Sequence, residues 1–284
     1  MKLGFDVLII GAGAAGMTAA IYLKRANINV GIIEMTSPGG QLNRIKNLDN
    51  YPGVINIDGP TLAFNMFSQM HELKVPYIYG EVKEIIDNGI NKIVITNKDE
   101  IETKAVIIAT GRKLNEMGLN NEKKLIGNGI SYCAICDGTL YKDKKVGVYT
   151  KDKDNEEIEY LSKIAKTVYV VGTSGNNFNN VEFYDKDITN INELDNKIKS
   201  IELGDITLEI DGLFVLLGSK PSVDFIDLNS DNGYIIVDKD MKTNIDGIYA
   251  IGDVISKNLY QVSTAVGEGA IAANSVLTYL NERK

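Results

Sequence analysis

Two cysteines and one histidine are the side chains in this sequence whose types most readily suggest chemistry. Cys133 and Cys136 are separated by two residues, and His71 lies far from them along the chain. A structural zinc site needs about four cysteine or histidine ligands, whereas this chain supplies three only if the distant His71 is recruited. A disulfide-rich secreted protein would use more cysteines at wider spacing. We therefore predict no metal site, and the pair is either a redox-active dithiol or two buried structural cysteines.

An aspartate, Asp137, directly follows the second cysteine. Disulfide exchange requires a thiolate, and a cysteine at the start of a helix has a lowered thiol pKa. A neighbouring carboxylate can protonate a leaving thiolate or accept its proton when partial burial raises the carboxyl pKa. Asp137 is therefore a candidate acid-base group, and the alternative is that it only caps a helix. His71 has no other histidine or cysteine near it in the sequence and is interpreted as a packing or surface residue.

A glycine-rich loop near the N-terminus lies between a predicted strand and a predicted helix. Residues 5–10 form an apolar run, residues 11–16 read Gly-Ala-Gly-Ala-Ala-Gly, and residues 17–25 have helical spacing. Residues 30–34 form a second apolar run, so the whole segment predicts a βαβ unit with parallel strands. This is the place of a dinucleotide-binding loop in such a unit.

Each glycine of this loop has its own physical role. Gly11 allows a tight turn, Gly13 lets the backbone approach a pyrophosphate, and Gly16 lets the helix pack closely on the strand. The helix N-terminus offers unpaired N–H groups to the anion. Glu34, about 20 residues farther on, is placed to accept hydrogen bonds from ribose hydroxyls. We predict a dinucleotide site here.

A second strand-helix-strand pattern covers residues 145–149, 155–165 and 167–171, but its loop differs. Residues 150–154 read Thr-Lys-Asp-Lys-Asp, whose side chains block close backbone approach and whose carboxylates repel a phosphate. Asp154 and Glu157 have the spacing of a capping box, which would satisfy the helix N-terminus from within the protein. No arginine lies between Arg112 and Arg283 to hold a 2′-phosphate. We predict that this second nucleotide site is disabled.

The overall composition is that of a soluble globular protein with one large or two modest domains. The 284 residues are 44% hydrophobic and 24% charged. The net charge of -8 argues against a nucleic-acid partner, which requires a clustered basic face. The apolar runs have the length of strands, so no membrane span is predicted. The N-terminus runs directly into a strand pattern, so no signal peptide is visible and a cytoplasmic location is expected.

A third segment, residues 247–253, predicts a short strand that ends in Gly-Asp, and a helical stretch follows at residues 261–278. Together with the glycine-rich loop and the sequence CAICDG at residues 133–138, it resembles the low-molecular-weight thioredoxin reductases, flavoproteins of the pyridine nucleotide disulfide oxidoreductase class. Further matching sequences are GGQL at residues 39–42, NYPG at 50–53 and ATG at 109–111. The resemblance covers nearly the whole chain and implies an α/β fold with two Rossmann-like, three-layer domains.

The resemblance implies an FAD-binding domain that is split in sequence, residues 1–115 and 213–284, around a smaller central domain, residues 116–212, that carries both cysteines. Hinges between the domains are expected near residues 112–116 and 211–214. The residues implied in FAD binding are Gly11, Gly13, Ala14, Ala15, Gly16, Glu34, Gly40, Gln41, Asn50, Val82, Thr110, Gly111, Gly252, Asp253, Gln261 and Val262.

The resemblance also implies roles for the three residues of the redox sequence. Cys136 would face the flavin, Cys133 would exchange with the disulfide of thioredoxin, and Asp137 would move protons. A homodimer is the family expectation.

The altered loop at residues 150–154 and the sequence Gly172-Thr173-Ser174 depart from the NADPH-dependent members, which carry a glycine-rich loop and a basic motif in these places. In this respect the chain is similar to flavin-type thioredoxin reductases that lack an NADPH site, among them the ferredoxin-dependent kind. We therefore predict a donor other than NADPH, with reduced ferredoxin as the expected one. The alternatives are NADH or another flavoprotein as donor, and a flavin-containing redox sensor or scaffold without turnover.

Two groups of lysines are candidate docking surfaces, although such groups are often only solvated surface. Because ferredoxins are usually acidic and the chain itself is acidic, a local basic patch is needed to orient the encounter. We predict that ferredoxin docks at the altered loop and thioredoxin beside the cysteines. The lysines in the altered loop are Lys151 and Lys153, and those flanking the cysteines are Lys123, Lys124, Lys142, Lys144 and Lys145.

Overall fold

A computed structural model describes residues 3–283. Its strands are β1 Leu3–Ile10, β2 Val30–Glu34, β3 Tyr77–Tyr79, β4 Val82–Asp87, β5 Lys92–Thr96, β6 Glu100–Ile108, β7 Arg112–Leu114, β8 Ile130–Ser131, β9 Lys145–Thr150, β10 Thr167–Val171, β11 Val181–Tyr184, β12 Asn190–Leu194, β13 Lys197–Leu203, β14 Ile206–Glu209, β15 Gly212–Leu216, β16 Ser219–Pro221, β17 Ser230–Asp231, β18 Tyr234–Ile235 and β19 Ile248–Ala250. Its helices are α1 Ala14–Arg25, α2 Gly59–Glu72, α3 Glu122–Leu125, α4 Ala134–Asp137, α5 Glu156–Ser162 and α6 Val262–Asn281, with 3-10 turns at Gly40–Arg44, Gly138–Tyr141 and Gly252–Val254.

The chain forms two compact units, one from the residues up to 113 together with those from 220 onward, and one from residues 114–219. The sequence-based boundary at residue 213 falls inside β15, which pairs with β8 and β9 in the second unit. Leu213 and Phe214 are fully buried in this strand. The segment 211–214 therefore cannot act as the predicted hinge. The chain passes between the units at β7 and β16, which pair with each other.

The first unit is built on a sheet in which β3, β2, β1, β6 and β19 are parallel. Strands β5 and β4 extend it in antiparallel fashion. Helices α1, α2 and α6 pack on one face, where Val7, Ile9 and Ile107 are fully buried. The βαβ unit predicted from the glycine-rich loop is confirmed, with α1 starting at Ala14 rather than at residue 17. His71 lies in α2 and is exposed.

The second unit contains a parallel sheet in the order β11-β10-β9-β15-β8. Helices α4 and α5 contact each other and supply the buried residues Ala134, Ile158 and Leu161 to the core on one face. The antiparallel sheet β12-β13-β14 supplies the core on the other face, so this layer is made of strands rather than helices. The predicted α/β class with Rossmann-like sheets is confirmed. None of the helices within the described residues has both the length and the apolar character that crossing a bilayer requires.

Candidate active site

The glycine-rich loop leaves β1 and leads into α1 along a path that only glycine permits at two positions. Gly11 has a φ of 105°, and a Cβ there would lie 2.3 Å from the carbonyl oxygen of Ala109. A Cβ on Gly16 would lie 2.0 Å from the carbonyl oxygen of Gly11. These two glycines are therefore required by the packing of the chain on itself.

Gly13 differs from its two neighbours because a Cβ on it would meet no protein atom within 4 Å. It is the N-cap of α1, has no side chain to cap the helix, and is followed by a first turn without acidic residues. The loop thus presents open backbone and the positive end of a twelve-residue helix at one place. Ala14 and Ala15 begin that helix and are buried.

The carboxylate of Glu34 is fixed at the end of β2. Its Oε2 accepts from the Ala12 backbone N–H at 2.9 Å, and its Oε1 accepts from the N–H and the hydroxyl of Thr36, each at 2.8 Å. A carboxylate can accept about four hydrogen bonds, so hydroxyl groups of a ligand can still be accommodated. A cavity of about 350 Å³ begins at the two residues that follow Glu34. Its lining residues are Met35, Thr36, Tyr79, Gly80, Glu81 and Asn97.

Other residues implied in cofactor binding lie in loops and at the ends of several strands and helices of the first unit. Gly40 approaches Gly13, since its Cβ would lie 3.6 Å from the Gly13 Cα. The Gln41 side chain donates to the Arg112 carbonyl at 2.8 Å, and Asn50 donates to the side-chain oxygen of Gln261 at 3.1 Å. The remaining members of this group are Val82 at the start of β4, Thr110 and Gly111 after β6, and Val262 at the start of α6.

The acid predicted from the Gly-Asp sequence, Asp253, belongs to a charged network that sequence reasoning missed. Its carboxylate lies 3.4 Å from the Arg112 Nε and 3.6 Å from the Lys257 Nζ. Lys257 also pairs with Glu268 at 2.9 Å, and Glu268 accepts from the Gly252 N–H at 2.8 Å. Burial raises the pKa of the Glu268 carboxyl. The spacing of Asp253 and Lys257, four residues apart, was the one local signal of this network.

The cysteine segment lies in the second unit, where β8 leads directly into the short helix α4. Cys133 precedes α4 and is disulfide-bonded, and the chain contains one other cysteine, Cys136, whose side chain lies outside the described part of the structure. The backbone N–H of Asp137 donates to the Cys133 carbonyl at 3.2 Å. Ile135, between the cysteines, is 52% exposed, so this turn faces solvent within its own unit.

The carboxylate of Asp137 is half-buried and accepts from the Ser131 hydroxyl at 2.6 Å. Burial, followed by the charges of Asp137 and Asp211, raises the pKa of Tyr141 to about 12. Tyr141 therefore remains a neutral phenol at every physiological pH. Asp137 makes no side-chain cap to the turn that follows it, so the cap interpretation is not supported there.

The predicted capping box of Asp154 and Glu157 is wrong. Asn155 is the N-cap of α5, and its side chain accepts from the Glu157 N–H at 2.9 Å. The Glu157 carboxylate instead accepts from the Ala134 N–H at 3.3 Å, at the start of α4. An asparagine side chain is short enough to reach the second N–H of the helix, and it displaces the aspartate one position earlier.

A buried carboxylate that sequence reasoning missed supports the strand before the cysteines. Glu122 is 1% exposed and accepts from the backbone N–H groups of Met117 and Gly118, each at 2.8 Å. It also accepts from the hydroxyl of Tyr132, the residue before Cys133. Nothing in the local sequence distinguishes this glutamate from a surface residue beside Lys123 and Lys124. Among residues 3–283, no three histidine, cysteine, aspartate or glutamate side chains are grouped to hold a metal ion.

Known proteins are similar to this chain over nearly its whole length. The family model described as pyridine nucleotide-disulphide oxidoreductase matches residues 5–175 and 177–269. A thioredoxin reductase of Bacillus subtilis is 38% identical, with 98% of this chain and 95% of that protein covered. The chain belongs to the thioredoxin reductase family.

Solved structures of thioredoxin reductases have the same fold. The enzyme from Streptococcus pyogenes has a TM-score of 0.92 and 37% identity, with 99% of this chain and 100% of that chain covered. A ferredoxin-flavin thioredoxin reductase from Clostridium acetobutylicum has a TM-score of 0.60 and 27% identity, with 99% of each chain covered. The chain is thus more similar to the Streptococcus enzyme than to this Clostridium enzyme.

Thioredoxin reductases of this family bind FAD, and the residues of the first unit fit that cofactor. The open backbone at Gly13 has room for a pyrophosphate, and the Glu34 carboxylate can accept from hydroxyl groups of a ribose. The hydroxyl oxygen of Thr110 is buried without a hydrogen-bond partner among the described residues. Since a buried polar atom rarely lacks a hydrogen-bond partner, we expect the Thr110 hydroxyl to form a hydrogen bond with the cofactor when it is bound.

Two glycine variants separate folding from FAD binding. Gly13→Ala is expected to leave the stability of the FAD-free protein within about 0.5 kcal/mol, since its Cβ meets no protein atom. It should weaken FAD binding by about tenfold or more, because the methyl group occupies the anion approach. Gly16→Ala should destabilise the FAD-free protein by about 2 kcal/mol through its clash with Gly11. Urea denaturation and FAD titration measure both effects, and equal stability of the two variants would contradict this account.

Proposed function

We propose that this chain reduces the disulfide of thioredoxin through Cys133 and Cys136, with electrons from FAD and with a primary donor other than NADPH. The observation that carries the proposal is a disulfide-bonded Cys133 at the start of a helix, with the Asp137 carboxylate held beside the same turn. When bound, FAD supplies two electrons to this disulfide. The scaffold alternative has no use for an acid at position 137.

The residues of the cysteine segment then carry the exchange. Reduction of the disulfide by two electrons and two protons gives two thiols, and the Cys133 thiolate attacks one sulfur of the thioredoxin disulfide, so that a mixed disulfide forms and a thioredoxin thiolate leaves. The Cys136 thiolate attacks Cys133, reforms the disulfide and releases reduced thioredoxin. Asp137 accepts and returns the protons that these steps move.

Asp137→Asn is expected to slow thioredoxin reduction on the order of 10²-fold without abolishing it, because an amide keeps the size of the side chain but cannot accept a proton. Steady-state turnover with FAD-loaded protein measures the effect. Asp205→Asn is the matched control, since Asp205 is an exposed aspartate of the same unit that pairs with Lys186 outside the cysteine segment. An unchanged rate in Asp137→Asn would remove the proposed acid from the mechanism.

The proposal of a donor other than NADPH rests on how the second unit fills its own nucleotide loop. The first turn of α5 holds Glu156, Glu157 and Glu159, and Asn155 caps its N-terminus. Both features are the reverse of what α1 offers, because acidic side chains and a side-chain cap occupy the place where a pyrophosphate would bind.

A polar cluster also occupies the end of β9. Tyr149 donates its hydroxyl to Asp187 at 2.9 Å, and Lys151 pairs with the same carboxylate. The Lys151 ammonium holds the pKa of Asp187 below its usual value. The Tyr149 ring lies against Gly172, whose Cβ would come within 2.7 Å of it. The end of β9 therefore carries the protein's own aromatic and charged side chains where a nucleotide would approach, which supports a loss of NADPH binding.

Reduced ferredoxin is the donor we propose, as in the ferredoxin-flavin thioredoxin reductase of Clostridium acetobutylicum. The altered loop offers less positive charge than its two lysines suggested. Lys151 is neutralised by Asp187, and Asp152 and Asp154 lie in the same loop. Lys153 is exposed and is the lysine of this loop best suited to contact an acidic protein.

A stoichiometric test of thioredoxin reduction does not depend on the donor. FAD-loaded protein is first reduced anaerobically with dithionite and freed of excess reductant. Its reduced dithiol is expected to reduce one equivalent of thioredoxin disulfide, and the two electrons of a reduced flavin can add a second equivalent. Protein that carries FAD but leaves thioredoxin oxidised would favour the sensor or scaffold alternative.

We also propose a homodimer and a cytoplasmic location, both on the resemblance to the family. Light scattering of the FAD-loaded protein tests the dimer, and fractionation of the source cells tests the location.

A further inference from the structure

We propose that Ser131 is a positioning residue for Asp137. Its hydroxyl links the Asp137 carboxylate to the backbone of Cys133 and favours the ionised form of that carboxylate. This inference rests on the proposed function, in which Asp137 moves the protons of the exchange.

The hydroxyl of Ser131 has three polar neighbours. It lies 2.6 Å from the Asp137 Oδ2, 3.1 Å from the Cys133 N–H nitrogen and 3.3 Å from the Cys133 carbonyl oxygen. A hydroxyl has one proton to donate and two lone pairs to accept with. The short distance directs the proton to Asp137, and the Cys133 N–H donates to the hydroxyl oxygen. The result is a continuous series of hydrogen bonds from the Cys133 backbone through the Ser131 hydroxyl to the Asp137 carboxylate.

Ser131 can hold this geometry because its own position is fixed. It is 6% exposed and ends β8, where it pairs with Phe214 of the neighbouring strand β15. Asp137, by contrast, closes a four-residue helix that has little stability of its own. The hydroxyl therefore ties a short and otherwise weakly held helix to the sheet of the second unit.

The charges around Asp137 make this donor important. Asp137 and Asp211 both act on Tyr141 in the following turn, the Lys144 ammonium lies 5.4 Å from the centre of the Tyr141 ring, and Glu157 of α5 contacts the start of α4. Among these charges of both signs, a hydroxyl that donates directly to the Asp137 carboxylate favours its ionised form. Loss of the hydroxyl should raise the pH at which Asp137 becomes a proton acceptor.

The test compares Ser131→Ala with wild type in the FAD-loaded protein. Protein reduced with dithionite is mixed with dithiobis(nitrobenzoate), and the rate of disulfide exchange is followed from acidic to alkaline pH. The acid limb is the range of low pH in which the rate rises as Asp137 loses its proton. In Ser131→Ala the midpoint of this limb is expected to lie about one pH unit higher than in wild type, so that the rate at a pH below both midpoints falls about tenfold. Ser131→Thr, which keeps the hydroxyl, should restore the limb.

The matched control is Ser200→Ala, which removes a hydroxyl of equal burial that bonds to Asn192 in the same unit. It should leave the limb in place. If Asp137→Asn abolishes the limb but Ser131→Ala does not move it, the role of Ser131 is overturned while the proposed function stands. If Asp137→Asn leaves the limb intact, the proton role of Asp137 itself fails.

A spectroscopic readout covers the case in which Ser131→Thr does not fold. The infrared band of a protonated carboxyl that disappears in Asp137→Asn belongs to Asp137. This band should persist to higher pH in Ser131→Ala than in wild type, and an identical titration in the two proteins would overturn the proposal.

Discussion

Cys133→Ser and Cys136→Ser are each expected to reduce thioredoxin turnover to the background rate while the protein still carries FAD. The cysteines lie in the second unit, whereas the glycine-rich loop and Glu34 lie in the first. A serine hydroxyl is a far weaker nucleophile than a thiolate at neutral pH and cannot form a disulfide. Turnover assays with measured flavin content check this result, and wild-type turnover in either variant would remove the dithiol from the mechanism.

The two variants should also differ from each other. Cys136→Ser keeps the thiol that exchanges with thioredoxin, so it should form a stable mixed disulfide with a thioredoxin whose single remaining cysteine is activated by thionitrobenzoate. Cys133→Ser should form this adduct much more slowly. Ser162→Ala, a change of a hydroxyl on the surface of α5, is the control that should retain full turnover. Equal adduct formation by both cysteine variants would contradict the assigned roles.

The βαβ unit around the glycine-rich loop could be predicted from sequence because its determinants are local. Gly16 is needed where helix α1 passes the Gly11 carbonyl five residues earlier, and the apolar runs on either side have the length of buried parallel strands. The close approach of Gly11 to Ala109 is a distant contact, but the glycine itself is visible as part of the loop sequence. The end of strand β2 at Glu34 was also predictable, because a charged residue follows the apolar run there.

The supporting contacts could not be predicted because they join residues far apart in the sequence. Arg112 lies 141 positions before Asp253, and the boundary of the second unit depends on β15 entering a sheet next to β9. Glu122 has the sequence surroundings of a surface glutamate, and only the fold shows that it is buried and accepts from the Tyr132 hydroxyl. Glu157 was assigned to its own helix, whereas the fold turns its carboxylate toward α4. Tertiary packing decided each of these outcomes.

Anaerobic mixing with NADPH or NADH is expected to leave the flavin absorbance unchanged on the time scale of turnover, whereas reduced ferredoxin should bleach it. The physical reason is the altered nucleotide loop of the second unit, where the acidic first turn of α5 and the cluster of Tyr149, Lys151 and Asp187 stand in place of a phosphate site. Stopped-flow absorbance measures the rate for each donor. Bleaching by NADPH at the turnover rate would contradict both the disabled loop and the ferredoxin proposal.

Charge reversal then locates the surface that receives the donor. Because the net charge of the chain is -8 and ferredoxins are usually acidic, long-range electrostatics oppose the encounter, and the local contribution of Lys153 should be large relative to the total. Lys153→Glu is expected to slow flavin reduction by ferredoxin several-fold at low salt and less at high salt, where the charges are screened. It should leave the exchange of the reduced dithiol with thioredoxin unchanged.

Lys142→Glu, a charge reversal at another exposed lysine near the cysteines, should show the opposite pattern, because its charge lies on the surface expected to meet thioredoxin. Identical effects of the two reversals on both reactions would mean that only net charge matters and that neither lysine marks a docking surface.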